Sequence, residues 1–295
     1  MVRHDLITLQ LFLSVARIGS IAGAAARHNM VASAVSKRIS DLETQIGTPL
    51  LYRIRRGVEL TAAGQELLSH TCSLESSIER MDADMMQYAD GRLGTIRLAA
   101  SSSAITQFLP EDLAEFIKSH PKLRVELTEQ TSVDILDAVR NGLCDLGVFS
   151  GLTDAKGLKV LPYRRDTLVV ATPPGHWLVG KLTVTLNDLL DEDFIGLQGS
   201  SSIQSYVKNA ATTLGGDLKM RVTVQSFDGV CRMVQARLGI AILPYGAVEP
   251  YVREGELNMV PLAETWAKRD LLIAVRKPDT LQRHVRLLLE SLTGS

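Results

Sequence analysis

The chain has 295 residues, of which 45% are hydrophobic and 22% are charged, and its formal net charge is −1. This length predicts about two domains, and the composition is that of an ordinary globular protein, which excludes disordered and collagen-like chains. Cys72, Cys144 and Cys231 form no C-x-x-C pair, so we expect free thiols and a cytoplasmic protein. Asp5 lies in what would be the basic region of a signal peptide, and Gln10 and Arg17 interrupt what would be its apolar region. No apolar run approaches the roughly 18 residues of a membrane span. We therefore expect no membrane partner.

Charge is distributed unevenly over the N-terminal part of the chain. Residues 1–61 carry eight Lys and Arg against four Asp and Glu, a net charge of +4, whereas residues 62–90 carry one Arg against six Asp and Glu, a net charge of −5. A small basic module favours binding to a polyanion such as double-stranded DNA. A surplus of four charges taken alone favours a basic solvated surface, so the choice between the two interpretations depends on the pattern of helices.

Three helices are predicted in the basic module. Apolar residues at helical spacing predict a helix over 6–18 that ends at Gly19, and Ser20 is a suitable N-cap for a second helix over 21–28. The apolar face of a third helix, which Gly47 ends, is formed by Val35, Ile39, Leu42 and Ile46. Two short helices joined by a tight turn are typical of a helix-turn-helix.

A hairpin is predicted directly after the third helix. The β-prone segments 50–53 and 58–60 flank a basic turn that contains glycine, which is typical of the wing of a winged helix. In that geometry the third helix lies in the major groove with its N-terminal half on the base edges, and the wing arginines contact phosphates. The predicted DNA-binding residues are Ala32, Ser33, Ser36, Lys37 and Arg38 on the helix and Arg53, Arg55 and Arg56 on the wing.

Many positions of this module agree in order and spacing with one known signature. They are Gly19-Ser20, Ala24-Ala25, Ser33-Ala34-Val35-Ser36, Ile39, Leu42-Glu43, Gly47, Pro49-Leu50, Arg53, Leu60-Thr61 and Ala63-Gly64. The chain thereby resembles LysR-type transcriptional regulators, which implies a sequence-specific regulator of transcription. Val31 stands where that family often has Ser or Thr, and Ala32 where it often has Gln. The first change removes a helix-capping hydroxyl, worth about 1 kcal/mol, and the second removes an amide that reads bases.

The acidic segment 61–90 is predicted to be one long helix, N-capped by Thr61 and ended by Gly91. Residues spaced alternately four and three apart form a heptad seam, namely Leu67, Thr71, Leu74, Ile78, Met81, Met85 and Tyr88. The seam could pack on the C-terminal part of its own chain. Pairing with a second copy is favoured, because a helix-turn-helix generally needs two copies to bind a two-fold site. The family resemblance implies the same, as a homodimer or homotetramer.

The rest of the chain alternates predicted strands and helices, which favours an α/β fold with parallel sheets covered by helices. The predicted strands are 95–100, 123–129, 145–149, 168–171, 194–197, 220–224, 240–243 and 271–275, and helices between or after them reach 118, 141 and 292. The resemblance implies two Rossmann-like lobes similar to those of periplasmic binding proteins. The predicted domains are a winged helix-turn-helix (1–60), a linker helix (61–90) and an effector-binding domain (91–295), with lobe I from 91–163 and 266–295 and lobe II from 164–265.

A small-molecule site is predicted beyond the carboxyl ends of the strands, where ligands of open α/β sheets bind. Hydroxyls and free backbone N–H groups at helix starts in both lobes would form a cradle for an effector such as a small anion. The predicted effector-binding residues are Ser101, Ser102, Ser103, Thr131, Ser132, Ser150, Gly199, Ser200, Ser201, Ser202, Phe227 and Asp228. The resemblance adds weight to Ser103, Ser132, Ser150 and Ser201. Each hydroxyl could equally be a helix cap only.

Motifs that would favour an enzyme are absent from the sequence. It has no P-loop, H-E-x-x-H, G-x-S-x-G or G-x-G-x-x-G, and its six histidines have no metal-ligand spacing. We therefore expect no catalytic residue, no metal and no cofactor. The alternative is an enzyme or solute-binding protein with an incidental N-terminal module, which would turn over or bind a ligand without affinity for DNA. A non-specific architectural DNA binder is a further alternative, but it leaves the two-lobed part unexplained.

Overall fold

The computed structural model divides the chain into two compact units. One comprises Met1–Arg92 with Asn141–Leu143, and the other comprises Leu93–Arg140 with Cys144–Ser295. The structure describes residues 5–55, 57–90, 94–151, 153–198 and 202–294. No helix within these ranges has the length and hydropathy needed to cross a membrane.

Three helices begin the first unit, as predicted: α1 (Leu6–Ile18), α2 (Ile21–Arg27) and α3 (Ala32–Ile46). The Ser20 hydroxyl caps α2 by accepting a hydrogen bond from Gly23 N at 3.3 Å. Val31 is the N-cap residue of α3 and makes no side-chain hydrogen bond to the helix, because its apolar side chain has no oxygen to accept one. Gly19 and Gly47, with φ of 69° and 83°, end α1 and α3 in the left-handed conformation that glycine adopts most easily.

A small apolar core and two polar anchors hold the wing on these helices. The wing is an antiparallel pair of β1 (Leu51–Ile54) and β2 (Gly57–Leu60). The Glu43 carboxylate on α3 accepts hydrogen bonds from Leu50 N at 2.8 Å and Leu51 N at 3.1 Å. The core consists of Leu9, Leu11, Phe12, Val15, Ala24, Ala25, Val35, Ile39, Leu42 and Leu50. The wing therefore has a fixed position on the three helices.

A helix of 29 residues, α4 (Ala62–Asp90), follows the wing. Thr61 caps it, because its hydroxyl accepts a hydrogen bond from Gly64 N at 2.9 Å. A Cβ added at Gly64 would lie 2.1 Å from the carbonyl oxygen of Leu50, so α4 passes the start of the wing at a distance that only glycine permits. Gly91, the predicted end of the helix, lies outside the described residues.

The second unit contains nine strands and seven helices within the described residues. The strands are β3 (Thr95–Ala100), β4 (Arg124–Glu129), β5 (Leu146–Ser150), β6 (Lys159–Thr172), β7 (Asp193–Leu197), β8 (Lys219–Val224), β9 (Ala241–Pro244), β10 (Asn258–Pro261) and β11 (Lys268–Val275). The helices are α5 (Ser102–Gln107), α6 (Leu109–Ser119), α7 (Ser132–Arg140), α8 (Ser202–Thr213), α9 (Phe227–Gln235), α10 (Tyr245–Arg253) and α11 (Arg283–Thr293).

Two lobes share the long strand β6. In lobe I the strand order is β4-β3-β5-β11-β6, with β3 parallel to β4 and β5 and with β11 antiparallel to its neighbours. In lobe II residues 168–172 of β6 pair antiparallel with β9 and β10, and β7 pairs parallel with β8. The expectation of parallel sheets is therefore wrong for β6, β9, β10 and β11. Strand β11 is antiparallel to β5 and β6, and β6 is antiparallel to β9 and β10. One mixed sheet of seven strands therefore passes through both lobes, and β7 and β8 form a separate parallel pair.

Three expectations about individual elements are also corrected. The helix predicted to reach residue 118 is two helices that break at Phe108, because Pro110 has no N–H to donate and its ring would clash with the carbonyl of Thr106 in a continuous helix. The strand predicted over 168–171 spans 14 residues; its first half is an edge strand of lobe I and carries too many polar residues for a strong apolar signal. The short edge strand β10 was not predicted.

Candidate functional site

The predicted DNA-reading residues lie on the N-terminal half of α3. Ala32, Ser33 and Lys37 are exposed, whereas Ser36 and Arg38 are half-buried. The first three side chains are therefore free to meet a groove of DNA, and the other two have contacts within the unit.

Arg38 connects α3 to the beginning of α1. Its Nη1 lies 2.8 Å from Asp5 Oδ2 and donates a hydrogen bond to the Thr8 hydroxyl at 3.1 Å. Asp5 also caps α1, and the hydrogen bond from the Thr8 hydroxyl, together with backbone N–H donors and the Arg38 charge, lowers the pKa of the Asp5 carboxyl. Arg38 thus ties α3 to the beginning of α1. Sequence reasoning missed this contact because the partners are 33 residues apart.

The wing arginines have different surroundings. Arg53 Nη2 on β1 donates a hydrogen bond to the Ser36 hydroxyl at 3.2 Å, so the structure brings this wing residue against α3. Arg55 is exposed in the turn between β1 and β2. Arg56, the remaining predicted wing residue, lies outside the described residues.

The heptad seam of α4 is only partly covered within the chain. Leu67 packs against the core of the first unit, Thr71 is buried and Ile78 is half-buried. The exposed fractions of the other described side chains are 38% for Leu74, 55% for Met81 and 58% for Met85. The side chain of Tyr88 lies outside the described part of the structure. An apolar stripe therefore remains exposed along the later turns of α4.

A cavity of about 930 Å³ lies in the second unit where the carboxyl ends of β3, β4, β7 and β8 meet the starts of α5, α7, α8 and α9. We call this cavity the cleft. Its described lining consists of Ser101, Ser102, Ser103, Thr106, Glu129, Gln130, Thr131, Ser132, Leu197, Gln198, Ser202, Ile203, Gln225, Ser226, Phe227 and Asp228. The cleft is lined by both lobes and is large enough for a small metabolite.

The structure brings most of the predicted effector-binding residues together in this lining. Ser150 is outside it: the residue is 1% exposed, and its backbone N–H donates to the Ser132 hydroxyl at 3.2 Å. Gly199, Ser200 and Ser201 lie outside the described residues. Sequence reasoning missed eight lining residues, although they occupy the same strand-to-helix segments as the predicted ones. These are Thr106, Glu129, Gln130, Leu197, Gln198, Ile203, Gln225 and Ser226.

The hydroxyls of the cleft are of two kinds. Thr131 and Ser226 are helix caps, since they accept hydrogen bonds from the backbone N–H groups of Asp134 and Gly229 at 3.3 and 3.1 Å. Ser101 precedes α5, but its hydroxyl makes no capping bond and is buried without a hydrogen-bond partner among the described residues. A capping role alone therefore accounts for some of these hydroxyls and not for Ser101.

The described lining contains two carboxylates and no Lys, Arg or His side chain. Glu129 accepts a hydrogen bond from the Ser102 hydroxyl at 2.5 Å, and Asp228 accepts one from the Tyr251 hydroxyl. Burial and this bond to Asp228 raise the pKa of Tyr251, which keeps the phenol protonated as a donor. The surface of the cleft is thus polar and acidic.

A buried ion pair lies directly behind this surface. Arg269 on β11 and Asp166 on β6 are register partners, each residue is 3% exposed, and Arg269 Nη2 contacts Asp166 Oδ2. The same Nη2 donates to the Ser103 hydroxyl at 3.3 Å, and Ser103 lines the cleft. Burial lowers the pKa of the Arg269 guanidinium, and the Asp166 charge opposes that effect. Sequence reasoning missed the pair because the two residues are 103 positions apart.

Metal ligation has no support in the described ranges, where no group of His, Cys, Asp and Glu side chains could hold a metal ion. The three cysteines are free thiols.

Two family profiles together match nearly the whole chain. Residues 6–65 match the bacterial regulatory helix-turn-helix protein, lysR family, and residues 89–295 match the LysR substrate binding domain. A probable RuBisCO transcriptional regulator of Emiliania huxleyi is 27% identical over 273 residues, which span 90% of this chain and 87% of the relative. The HTH-type transcriptional regulator AlsR of Bacillus subtilis is 27% identical, and the match spans 91% of this chain and 89% of AlsR.

Solved structures share the fold. Full-length CbnR in complex with its target DNA superposes with a TM-score of 0.66 at 22% identity, and the match covers 98% of this chain and 99% of CbnR. The regulatory domain of CcmR from Synechocystis PCC6803, in complex with 2-PG, superposes with a TM-score of 0.63 at 25% identity. That match covers 68% of this chain and 97% of the CcmR domain.

Proposed function

Because the chain belongs to the LysR family and is a DNA-binding transcriptional regulator with an effector-binding domain, we propose that α3 reads an operator and that a small molecule in the cleft controls this binding. The observation that carries the proposal is the cleft itself, a cavity lined by both lobes in the same chain as a winged helix-turn-helix, with the buried Ser101 hydroxyl unpaired among the described residues. The proposal requires no cofactor and no catalytic residue, and it places the protein in the cytoplasm.

DNA binding is assigned to two groups of side chains. Ala32, Ser33 and Lys37 are exposed on α3 and would meet base edges and the adjoining backbone. Arg53 and Arg55 on the wing would contact phosphates, which gives affinity without sequence information and makes binding depend on salt. Arg38 is assigned a positioning role, since its guanidinium is already paired with Asp5.

Control by an effector follows from the construction of the second unit. A ligand in the cleft touches both lobes, and the lobes are joined through the shared strand β6 and its neighbour β11. The ligand can act only through a difference in its affinity for two arrangements of the DNA-bound protein. The complex of the CcmR regulatory domain with 2-PG supports a small-molecule ligand in a domain of this fold.

Pairing of two copies is assigned to α4. The exposed apolar side chains of Leu74, Met81 and Met85 are spaced as a heptad seam. If α4 of a second copy covers these side chains, the dimer presents two copies of α3 to one two-fold DNA site. Sedimentation velocity of wild-type protein and of the M81E variant tests this step, and a wild-type monomer at micromolar concentration would refute it.

The test of the function is a gel-shift titration of the full-length protein against DNA from upstream of its own gene, with random duplex as competitor at near-physiological salt. Retardation that survives the competitor is expected. R53A should weaken binding to every duplex and lower the slope of log affinity against log salt by about one. The matched control is K122A, which removes an exposed charge of the second unit and should change neither quantity.

Two results would contradict the proposal. If random duplex abolishes all binding by the wild type, the protein is not a sequence-specific regulator. If R53A changes only the preferred sequence and not the salt slope, the wing does not act through phosphates.

A further inference from the structure

The first turn of α10 is capped by a side chain from a distant segment. Pro244, the residue before the helix, has no side-chain acceptor for the free N–H groups of that turn. Gln107, at the end of α5, supplies the acceptor, since its Oε1 accepts a hydrogen bond from Gly246 N at 2.9 Å although the two residues are 139 positions apart. A helix cap ordinarily comes from the residue directly before the helix. This cap therefore also connects two parts of the fold.

The connection runs from one lobe to the other. Ala104 of α5 belongs to the buried core of lobe I, and Ala247 and Val248 of α10 belong to the buried core of lobe II. Each helix is thus fixed in its own lobe. The backbone joins the lobes through β6 and β11, and the hydrogen bond between Gln107 and Gly246 joins them at a second place. We call this hydrogen bond the interlobe contact.

The Gln107 side chain is held from both sides. Its Nε2 donates a hydrogen bond to the Ser103 carbonyl oxygen at 3.2 Å, one turn earlier on α5. A Cβ added at Gly246 would lie 2.8 Å from Gln107 Cγ and 2.9 Å from its Oε1. A Cβ essentially never comes closer than 3.0 Å to another heavy atom, so a larger residue at this position would displace the Gln107 side chain. The interlobe contact thus depends on the glutamine in lobe I and on the glycine in lobe II.

Both helices of the interlobe contact are attached to the cleft. Ser103 and Thr106 of α5 line it on the lobe I side. On the lobe II side, Tyr251 of α10 donates a hydrogen bond to Asp228, which also lines it. Movement of either wall therefore acts on the interlobe contact. Because a donor and an acceptor about 3.6 Å apart no longer form a hydrogen bond, a separation of α5 and α10 by about 0.7 Å is enough to break this one, which is 2.9 Å long.

We propose that Gln107 is a positioning residue that holds the two lobes in the arrangement of this structure, and that the lobes move relative to each other only when its hydrogen bond to Gly246 breaks. An effector would then favour one of two lobe arrangements by keeping or losing this contact. That regulatory role rests on the proposed control of DNA binding by the cleft. The interlobe contact itself is a property of the second unit.

The experiment measures the distance between the lobes in the full-length protein without DNA. Nitroxide labels are attached at two exposed positions, K118C in lobe I and E254C in lobe II, in a C72S background. The remaining native thiols, Cys144 and Cys231, are buried. Double electron–electron resonance gives the distance distribution, and an excess of unlabelled protein suppresses distances between copies.

Two variants remove the interlobe contact from opposite sides. Q107M keeps a side chain of similar length and loses both hydrogen bonds, whereas G246A keeps Gln107 and displaces it. Each should shift or broaden the lobe distance by more than about 2 Å. The double variant Q107M/G246A should match either single variant, because all three lose the same contact. Y245F, which alters an exposed side chain in the same turn of α10, is the matched control and should leave the distance unchanged.

Hydrogen exchange of peptides from 245–253 separates this role from that of a helix cap alone. If Gln107 only capped α10, Q107M would speed exchange there. G246A would slow it, because alanine favours a helix over glycine. Neither variant would then change the distance between the lobes.

The proposal is overturned if Q107M or G246A keeps the parental distance distribution, if the double variant adds the two changes, or if Y245F changes the distance as much. Specific DNA binding is measured separately by gel shift. Unchanged lobe distances with intact DNA binding remove the role of Gln107 alone, and loss of specific DNA binding by the wild type removes the proposed function.

Discussion

Replacement of Gly64 by alanine should destabilise the first unit, although a glycine-to-alanine change inside a helix ordinarily stabilises it by about 0.5–1 kcal/mol. The sign reverses because of the close approach between α4 and the start of the wing. The added Cβ would lie 2.1 Å from the Leu50 carbonyl oxygen, and a Cβ essentially never comes closer than 3.0 Å to another heavy atom. Both atoms in contact belong to backbone or are fixed to it, so neither can rotate away.

The magnitude follows from what has to move. To restore 3.0 Å, helix and strand must separate by about 0.9 Å, and overpacking of this kind costs about 1–3 kcal/mol. The same shift strains the hydrogen bond from Thr61 N to Leu50 O, now 3.0 Å long, whose loss costs about 1 kcal/mol. After subtraction of the helix-propensity gain, we expect a net loss of about 1–3 kcal/mol. For a unit of this size that lowers the Tm by roughly 5–20 °C.

The assay is thermal unfolding of the full-length protein, with hydrogen exchange of peptides from 5–60 to assign the transition of the first unit. G23A is the comparison variant, because its added Cβ would meet side-chain atoms and no backbone: Ile18 Cγ2 at 2.8 Å and Ser20 Cβ and Oγ at 3.6 and 3.7 Å. We expect G23A to lower the Tm less than G64A does, because the Ile18 side chain can shift and the Leu50 carbonyl cannot. An unchanged or higher Tm of the first unit in G64A would refute the argument, since it would mean that the two backbones are not in contact.

Three further predictions follow from buried or anchoring groups. E43A leaves the backbone N–H groups of Leu50 and Leu51 without the carboxylate that accepts their hydrogen bonds. It should lower the free energy of unfolding measured by urea titration by about 2–4 kcal/mol, and E43Q should lower it less. An unchanged urea midpoint in E43A would contradict this prediction. Burial raises the pKa of the Cys144 and Cys231 thiols to about 12, so iodoacetamide at pH 8 should label both in urea and neither in the folded protein, as read by mass spectrometry. Because these folded pKa values exceed the ordinary value of 9.0, the free energy of unfolding should not depend on these thiols below pH 9. It should fall as the pH rises from 9 towards 12. An increase in the free energy of unfolding over that range would be incompatible with the burial of the two thiols.

The parts of the fold that could be predicted have local signals. Ser20 and Thr61 cap the helices that follow them, and Gly19 and Gly47 end the helices before them, so each boundary is encoded within a few residues. The apolar spacing of α3 identifies its buried face in the same way. These signals placed the three helices and the wing within one or two residues of their bounds.

The parts that could not be predicted depend on contacts between distant segments. Arg38 is a surface arginine in the sequence and becomes a positioning residue only because the fold places Asp5 beside it. Arg269 and Asp166 stand in different strands, and nothing near either one indicates that the other is its register partner.

The lining of the cleft contains both predictable and unpredictable residues. Ser101 was predicted because it follows a strand and precedes a helix, where hydroxyls are common. Gln198 and Gln225 occupy equivalent places after β7 and β8, but a glutamine carries no capping signal. The serine pattern therefore identifies the edge of the sheet where the cleft lies, and it does not identify the amide side chains at the same edge.

The division of lobe I along the chain has a consequence for synthesis. The buried core of lobe II is drawn only from residues 168–267, whereas the core of lobe I combines residues 96–163 with residues 271–292 of β11 and α11. During synthesis at about 5–20 residues per second, every residue of the lobe II core leaves the ribosome before the last strand of lobe I does. Until then β5 lacks its neighbour β11 and presents an apolar edge. A stop codon near position 268 would therefore leave the core of lobe II complete and remove β11 and α11 from the core of lobe I.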